Sequence, residues 1–222
     1  MAPSEDTSRR PALSRERVLQ SAVDLADREG LGALTMRRLG SELGVEAMSL
    51  YKHVANKEEI LDGIVELVVG EVEIPARTTD WKEAMRRRAK SARDVLSRHS
   101  WAIGLLEARG STGSASLRYA DAILGNLRSA GFTIENAAHA FWVLDSFVYG
   151  HVIQETSMPI GASDQTTDSE TILEQDTIDE YPHLVEIGEH ALRSEFSFDS
   201  EFEFGLDLIL EALEQSATSA GG

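Results

Sequence analysis

The chain of 222 residues contains no cysteine. That excludes disulfides, thiol nucleophiles and cysteine-based zinc fingers, and it suits a reducing compartment. Proline is scarce, and no apolar run approaches the roughly 18 residues that a membrane-spanning helix needs. The stretch Met1–Arg10 has no apolar core, so no secretory signal is expected there and a soluble, cytoplasmic protein without membrane association is. Positive charge is also in deficit: 21 Lys and Arg face 38 Asp and Glu, a net charge of −17. There is no Gly-x-Ser-x-Gly, no His-Glu-x-x-His and no phosphate-binding loop, so neither an enzyme nor a cofactor is expected. The glycine-rich stretch Gly110–Ser116 has no strand before it and no lysine after it, and reads as a linker.

What is present is a 42% hydrophobic share, enough for a sizeable core, and an uneven distribution of charge. Residues 1–57 carry 9 Lys and Arg against 8 Asp and Glu, whereas residues 58–222 carry 12 against 30. No Lys or Arg occurs between Arg128 and Arg193. A surface with that acidity repels phosphate, so any contact with nucleic acid is confined to the N-terminal part.

The pattern after residue 13 is helical throughout, with no alternating strand pattern and no internal repeat. Ser14 caps a first helix that ends at Gly30. Thr35 caps a second, Met36 to Leu43, closed by Gly44, where a tight turn needs a left-handed backbone. A third runs from Glu46 to His53. Asn56 with Glu59, and Asp80 with Glu83, open the fourth and fifth as capping boxes. Further helices cover Trp101 to Ala108, Ser114 to Ala130, Thr133 to Glu155, a ninth opened by Pro182, and Ser200 to Ser216. The expected organisation is all-α: an arm over 1–13, a helix-turn-helix unit over 14–57, and a larger helical domain over 58–216. That domain would contain a mobile acidic loop at 156–180, and a disordered tail would follow at 217–222.

Helices two and three carry the most specific pattern. Leu34, Leu39, Leu43, Val45, Leu50 and Val54 pack on helix one, which leaves Arg37, Arg38, Ala47, Met48, Ser49, Tyr51, Lys52 and His53 turned outward or partly so. A helix of this kind fits the major groove, and residues near its start reach base edges. Lys57 opens the fourth helix, where side chain and helix dipole both favour a phosphate.

The run Thr35-Met-Arg-Arg-Leu-Gly-Ser-Glu-Leu-Gly-Val-Glu-Ala-Met-Ser-Leu-Tyr-Lys-His-Val-Ala-Asn-Lys57 resembles the tetracycline-repressor (TetR) family of transcription regulators. The likeness continues through Gly131–Ala137, Phe147–Gly150 and Phe204–Glu214, which look like that family's eighth and last helices. The resemblance implies a dimeric, ligand-responsive regulator, in most cases a repressor, on a near-palindromic double-stranded operator. It places DNA contacts at Arg37, Ser49, Tyr51, His53 and Lys57, and Thr35, Ala47, Met48 and Lys52 are assigned to the same surface. Tyr51, His53 and Lys57 would hold phosphates, while Arg37 and the start of helix three read bases. Ala47-Met48 stands where the tetracycline repressor has Gln-Pro, so a different operator is expected, with methyl contact to thymine left at Ala47. Arg9, Arg10 and Arg15 form either a DNA-gripping arm or a solvated tail.

The larger domain admits two readings: dimerisation alone on constitutively bound DNA, or dimerisation with ligand sensing. The family implies a twofold four-helix bundle, assigned here to Val143, Phe147, Phe202, Leu206, Ile209 and Leu213. An unknown small-molecule effector is placed against Trp101, Leu105, Tyr119, Phe141, Trp142, Asp145 and Tyr149. Asp145, a carboxylate in an apolar helix, either meets a cationic or hydrogen-bonding ligand or is satisfied by an arginine or a hydroxyl. Magnesium–tetracycline is disfavoured, because Gln154 stands where that drug's receptor has a glutamate and the matching histidines are missing. His183 and His190 are loosely spaced for a metal pair, and no metal site is assigned.

Overall fold

The computed structural model describes residues 12–74, 80–109, 113–157, 181–193 and 197–219. All but the last two residues of the N-terminal arm, nearly all of the acidic loop and the last three residues lie outside these. Every regular element among the described residues is helical: α1 (Arg15–Glu29), α2 (Met36–Leu43), α3 (Ala47–Leu50), α4 (Lys57–Glu71), α5 (Trp81–Arg98), α6 (Trp101–Arg109), α7 (Ser114–Ser129), α8 (Ile134–Ser157), α9 (Pro182–Arg193) and α10 (Phe198–Ser219), with a short 3-10 turn at Leu31–Ala33. None of them is long and apolar enough to cross a membrane.

Local chemistry sets the starts. The side chains of Ser14, Thr35, Asn56 and Asp80 each accept a backbone N–H three residues on, at 2.8–3.2 Å. Glu59 completes its box one residue early, on the N–H of Ala55 at 2.7 Å. Gly44 adopts φ 69° and ψ 34°, and the N–H groups of Gly44 and Val45 return to the carbonyls of Ser41 and Gly40, closing α2. Gly131, at φ 95°, closes the corner between α7 and α8.

Two ends differ from the sequence reading. The third helix is α-helical only over Ala47–Leu50, and Tyr51–His53 form a turn in which the N–H groups of His53 and Val54 share the Leu50 carbonyl. Leu50 and Val54 are both buried, and holding both inside while turning into α4 tightens the winding. At the other end, α10 runs to Ser219, into residues expected as a tail, because Ala217 still packs on the core.

Two apolar cores result. One joins α1, α2, α3 and the first half of α4 around Leu25, Leu39, Leu50, Ile60 and Ile64. The other joins the second half of α4 (Val65, Val68, Val69) to α5, α7, α8 and α10. α4 therefore belongs to both. So do Trp101 and Leu105 of α6, which pack against each core.

Candidate nucleic-acid interface and adjoining cavity

The turn between α2 and α3 is set by close backbone approach. A Cβ on Gly40 would lie 2.9 Å from the Val45 carbonyl oxygen and 3.2 Å from the Ala47 nitrogen. This seats α3 across α2 and leaves Met48 74% exposed and Tyr51 47% exposed. Arg37, Lys52 and Lys57 are exposed as well, while Ala47, Ser49 and His53 are half-buried. Thr35 spends its hydroxyl oxygen on the α2 cap.

Ion pairing decides which charges are available to phosphate. Arg38 is tied to Glu29 at 2.5 Å and to Glu42 at 3.4 Å, and Arg28 also pairs with Glu42. Glu59 is held by the Ala55 N–H and by Arg15, which lower its pKa, in that order. Arg37, Lys52 and Lys57 enter no ion pair among the described residues. Glu29, Glu42 and Glu59 are thus occupied, and Arg37, Lys52 and Lys57 are left exposed.

Behind this unit, α4, α6, α7 and α8 surround a cavity of about 390 Å³ lined by Val69, Leu106, Glu107, Ser116, Tyr119, Ala120, Phe141, Trp142, Asp145 and Tyr149. Five residues assigned to a ligand from sequence meet there: Tyr119, Phe141, Trp142, Asp145 and Tyr149. Trp101 and Leu105 do not line it. They sit at the junction of the two cores, where the Trp101 indole donates to Asp27 of α1 at 2.6 Å. The same Asp27 oxygen lies 2.8 Å from His99 Nδ1. Arg109 of α6 grips Glu58 and Asp62 of α4, and Glu66 of α4 accepts the Ala115 N–H at the start of α7.

Asp145 has an arginine partner. Arg88, 1% exposed, donates through Nη2 to Asp145 Oδ1 and through Nε to the Tyr119 hydroxyl, the latter at 2.5 Å. Its guanidinium also lies 5.1 Å from the Tyr119 ring centre, and Nη1 is buried without a hydrogen-bond partner among the described residues. Burial raises the Tyr119 pKa against the opposing pull of Arg88, and burial pushes Tyr149 up to about 12. Both phenols are therefore protonated donors near neutral pH. Arg88 was missed in the sequence because it sits in a basic run, Arg86-Arg87-Arg88. Its position on the apolar stripe of Ala84, Ala92 and Val95 was the available signal.

Among the residues assigned to a twofold contact, Phe202 and Leu206 turn into the chain's own core, 1% and 0% exposed, with Phe202 stacked on Phe147 at 5.3 Å. Phe147, Ile209 and Leu213 are half-buried against the same core. Val143 is exposed, and so are two residues not assigned, Phe204 and Leu208. The apolar stripe of α10 is broad enough to face inward and outward at once.

Comparison with known proteins agrees with this architecture. Residues 18–64 match the model of bacterial regulatory proteins of the tetR family, and residues 74–217 match the tetracyclin repressor-like C-terminal domain. The chain belongs to the TetR family. It is a DNA-binding transcription regulator, and proteins of this family are not enzymes. The repressor DrrR1 of Streptomyces coeruleorubidus is 31% identical over 228 aligned residues, covering 94% of this TetR-family chain and 82% of the relative. A possible TetR family transcriptional regulator of Streptomyces coelicolor A3(2) superposes with a TM-score of 0.75 at 34% identity, over 91% of this chain and 100% of the other. ActR of Streptomyces coelicolor superposes in its apo form with a TM-score of 0.76 at 29% identity, over 95% and 99%. ActR has also been solved in complex with actinorhodin, and that structure superposes at 0.72 and 29% identity, over 93% and 99%.

Proposed function

We propose that this chain is a dimeric repressor released from its operator when a small molecule enters the cavity bounded by α4, α6, α7 and α8. One observation carries the reading: α4 and α6 each hold part of the cavity wall, Val69 and Leu106, and part of the packing under the DNA-reading unit, Ile60, Ile64, Trp101 and Leu105. A molecule that repositions Val69 or Leu106 thereby acts on the elements that carry the reader. Thermodynamically, it must bind the DNA-incompetent arrangement more tightly than the competent one. ActR, with its bound actinorhodin, supports a sensing role for this architecture. Exposed Val143, Phe204 and Leu208 supply an apolar face for a twofold mate, and such a pair would suit half-sites roughly 34–36 Å apart.

Anisotropy titration on a duplex obtained by in vitro selection tests the coupling, with a panel of aromatic metabolites beginning with actinorhodin. An active compound should weaken operator binding about 5- to 150-fold, and Ala120→Trp, which fills the cavity, should abolish the response. Tight operator binding that no compound shifts would instead favour the constitutive alternative.

The DNA contacts make separate predictions. Lys57→Ala should weaken all duplexes alike and lower the salt slope by about one. Ala47→Gln should change base preference, by about 1–3 kcal/mol at one position, because an amide can pair bidentately with adenine. Selection of new operators by each variant checks both, and equal loss of selectivity in the two would overturn the role assignment.

A further inference from the structure

We propose that the cavity recognises uncharged, flat molecules that carry a hydrogen-bond acceptor and a donor on neighbouring atoms, met by the Tyr119 hydroxyl and the Asp145 carboxylate as a pair set by Arg88. This rests on the reading of the cavity as the effector site. The Tyr119 oxygen accepts Arg88 Nε–H at 2.5 Å, so the hydroxyl's own proton points elsewhere. No acceptor among the described residues takes it. Asp145 accepts Arg88 Nη2–H at Oδ1, and its second oxygen accepts no hydrogen bond among the described residues. Both side chains line the cavity. Two neighbouring nitrogens of one guanidinium thus hold a donor and an acceptor side by side, facing the same space.

Charge selects the ligand further. Arg88 cancels Asp145, so the buried pair offers a cation no net attraction and an anion meets the open carboxylate oxygen, while Glu107 on the same wall is exposed and screened by solvent. An uncharged donor–acceptor pair satisfies both groups without burying a new charge. Shape follows from the aromatic wall. Phe141 and Trp142 meet edge to face at 5.7 Å, and Tyr149 lines the same cavity, which favours ring systems.

Calorimetric titration of the full-length protein with three tricyclic probes tests this. Phenanthridinone carries a lactam N–H beside its carbonyl, N-methylphenanthridinone has the donor blocked, and N-methylphenanthridinium is a cation of the same outline. The wild type should bind phenanthridinone at least about tenfold more tightly than either comparator. Tyr119→Phe should weaken phenanthridinone about tenfold by removing the donor to its carbonyl. Arg88→Met/Asp145→Leu, which removes the clamp but leaves no unpaired buried charge, should bring the three probes within about twofold of one another. Thermal melting verifies that each variant is folded. Binding of all three probes with equal affinity by the wild type overturns the donor–acceptor assignment and leaves the effector cavity standing. So does a preference that survives both variants. Binding of none of them overturns the assignment, and the operator titration with the metabolite panel decides the cavity's sensing role separately.

Discussion

Arg88→Met should destabilise the larger domain by about 3–5 kcal/mol, seen as a lowered denaturation midpoint at unchanged slope. The side chain is 1% exposed and its carboxylate partner 6% exposed, and the two stand 57 positions apart in the chain. Methionine fills much of the same volume, so the loss is electrostatic rather than steric. It strands the Asp145 carboxylate in an apolar helix and frees the Tyr119 oxygen from its donor. The double variant Arg88→Met/Asp145→Leu should recover most of the stability, because removing both charges avoids the desolvation cost that removing one exposes. A single variant that loses less than about 1 kcal/mol would show that Asp145 finds solvent or another partner.

Gly40→Val should abolish operator binding and cost the reading unit about 1–3 kcal/mol. The atoms that a Cβ would meet are all backbone, the Val45 carbonyl and the nitrogen and Cα of Ala47, so no side chain can swing aside. Either α2 and α3 separate or the turn at Gly44 opens, and both displace Met48 and Tyr51 from their outward placement. Gly32→Ala is the matching control, since nothing lies within 4 Å of its new Cβ. Anisotropy on the selected duplex should show near-complete loss for the first and full binding for the second, with ligand titration unchanged in both. Retained operator affinity in Gly40→Val would mean that the angle between α2 and α3 tolerates more than close packing suggests.

The helix starts were legible because caps act over three residues: Ser14, Thr35, Asn56 and Asp80 each satisfy an N–H that would otherwise be orphaned. The outward face of α2 and α3 was legible for the same reason, through helical spacing. What escaped was non-local. The shortening of α3 comes from burying Leu50 and Val54 while turning into α4, which propensity cannot see. The pairing of Asp145 with Arg88 joins two helices that pack only after folding. Trp101 has the composition of a ligand contact, but its indole serves Asp27 across the junction of the two cores. Phe202 and Leu206 show a further limit: hydrophobicity carries no direction, so a stripe alone does not say whether it meets its own chain or a second copy.

The continuity of α4 has a mechanical consequence. Fifteen residues of uninterrupted helix make a rod of about 22 Å, with Val69 near one end and Lys57 at the other. A tilt on the order of 5° about the Val69 end carries the Lys57 end through about 2 Å, the product of rod length and tilt angle. In a twofold pair the two rods swing in opposite senses, so the reader separation changes by up to about 4 Å against a helical repeat of roughly 34 Å. Under the proposed function, a shift no larger than a side-chain repacking at the cavity would thereby be multiplied into a mismatch with the spacing of the grooves.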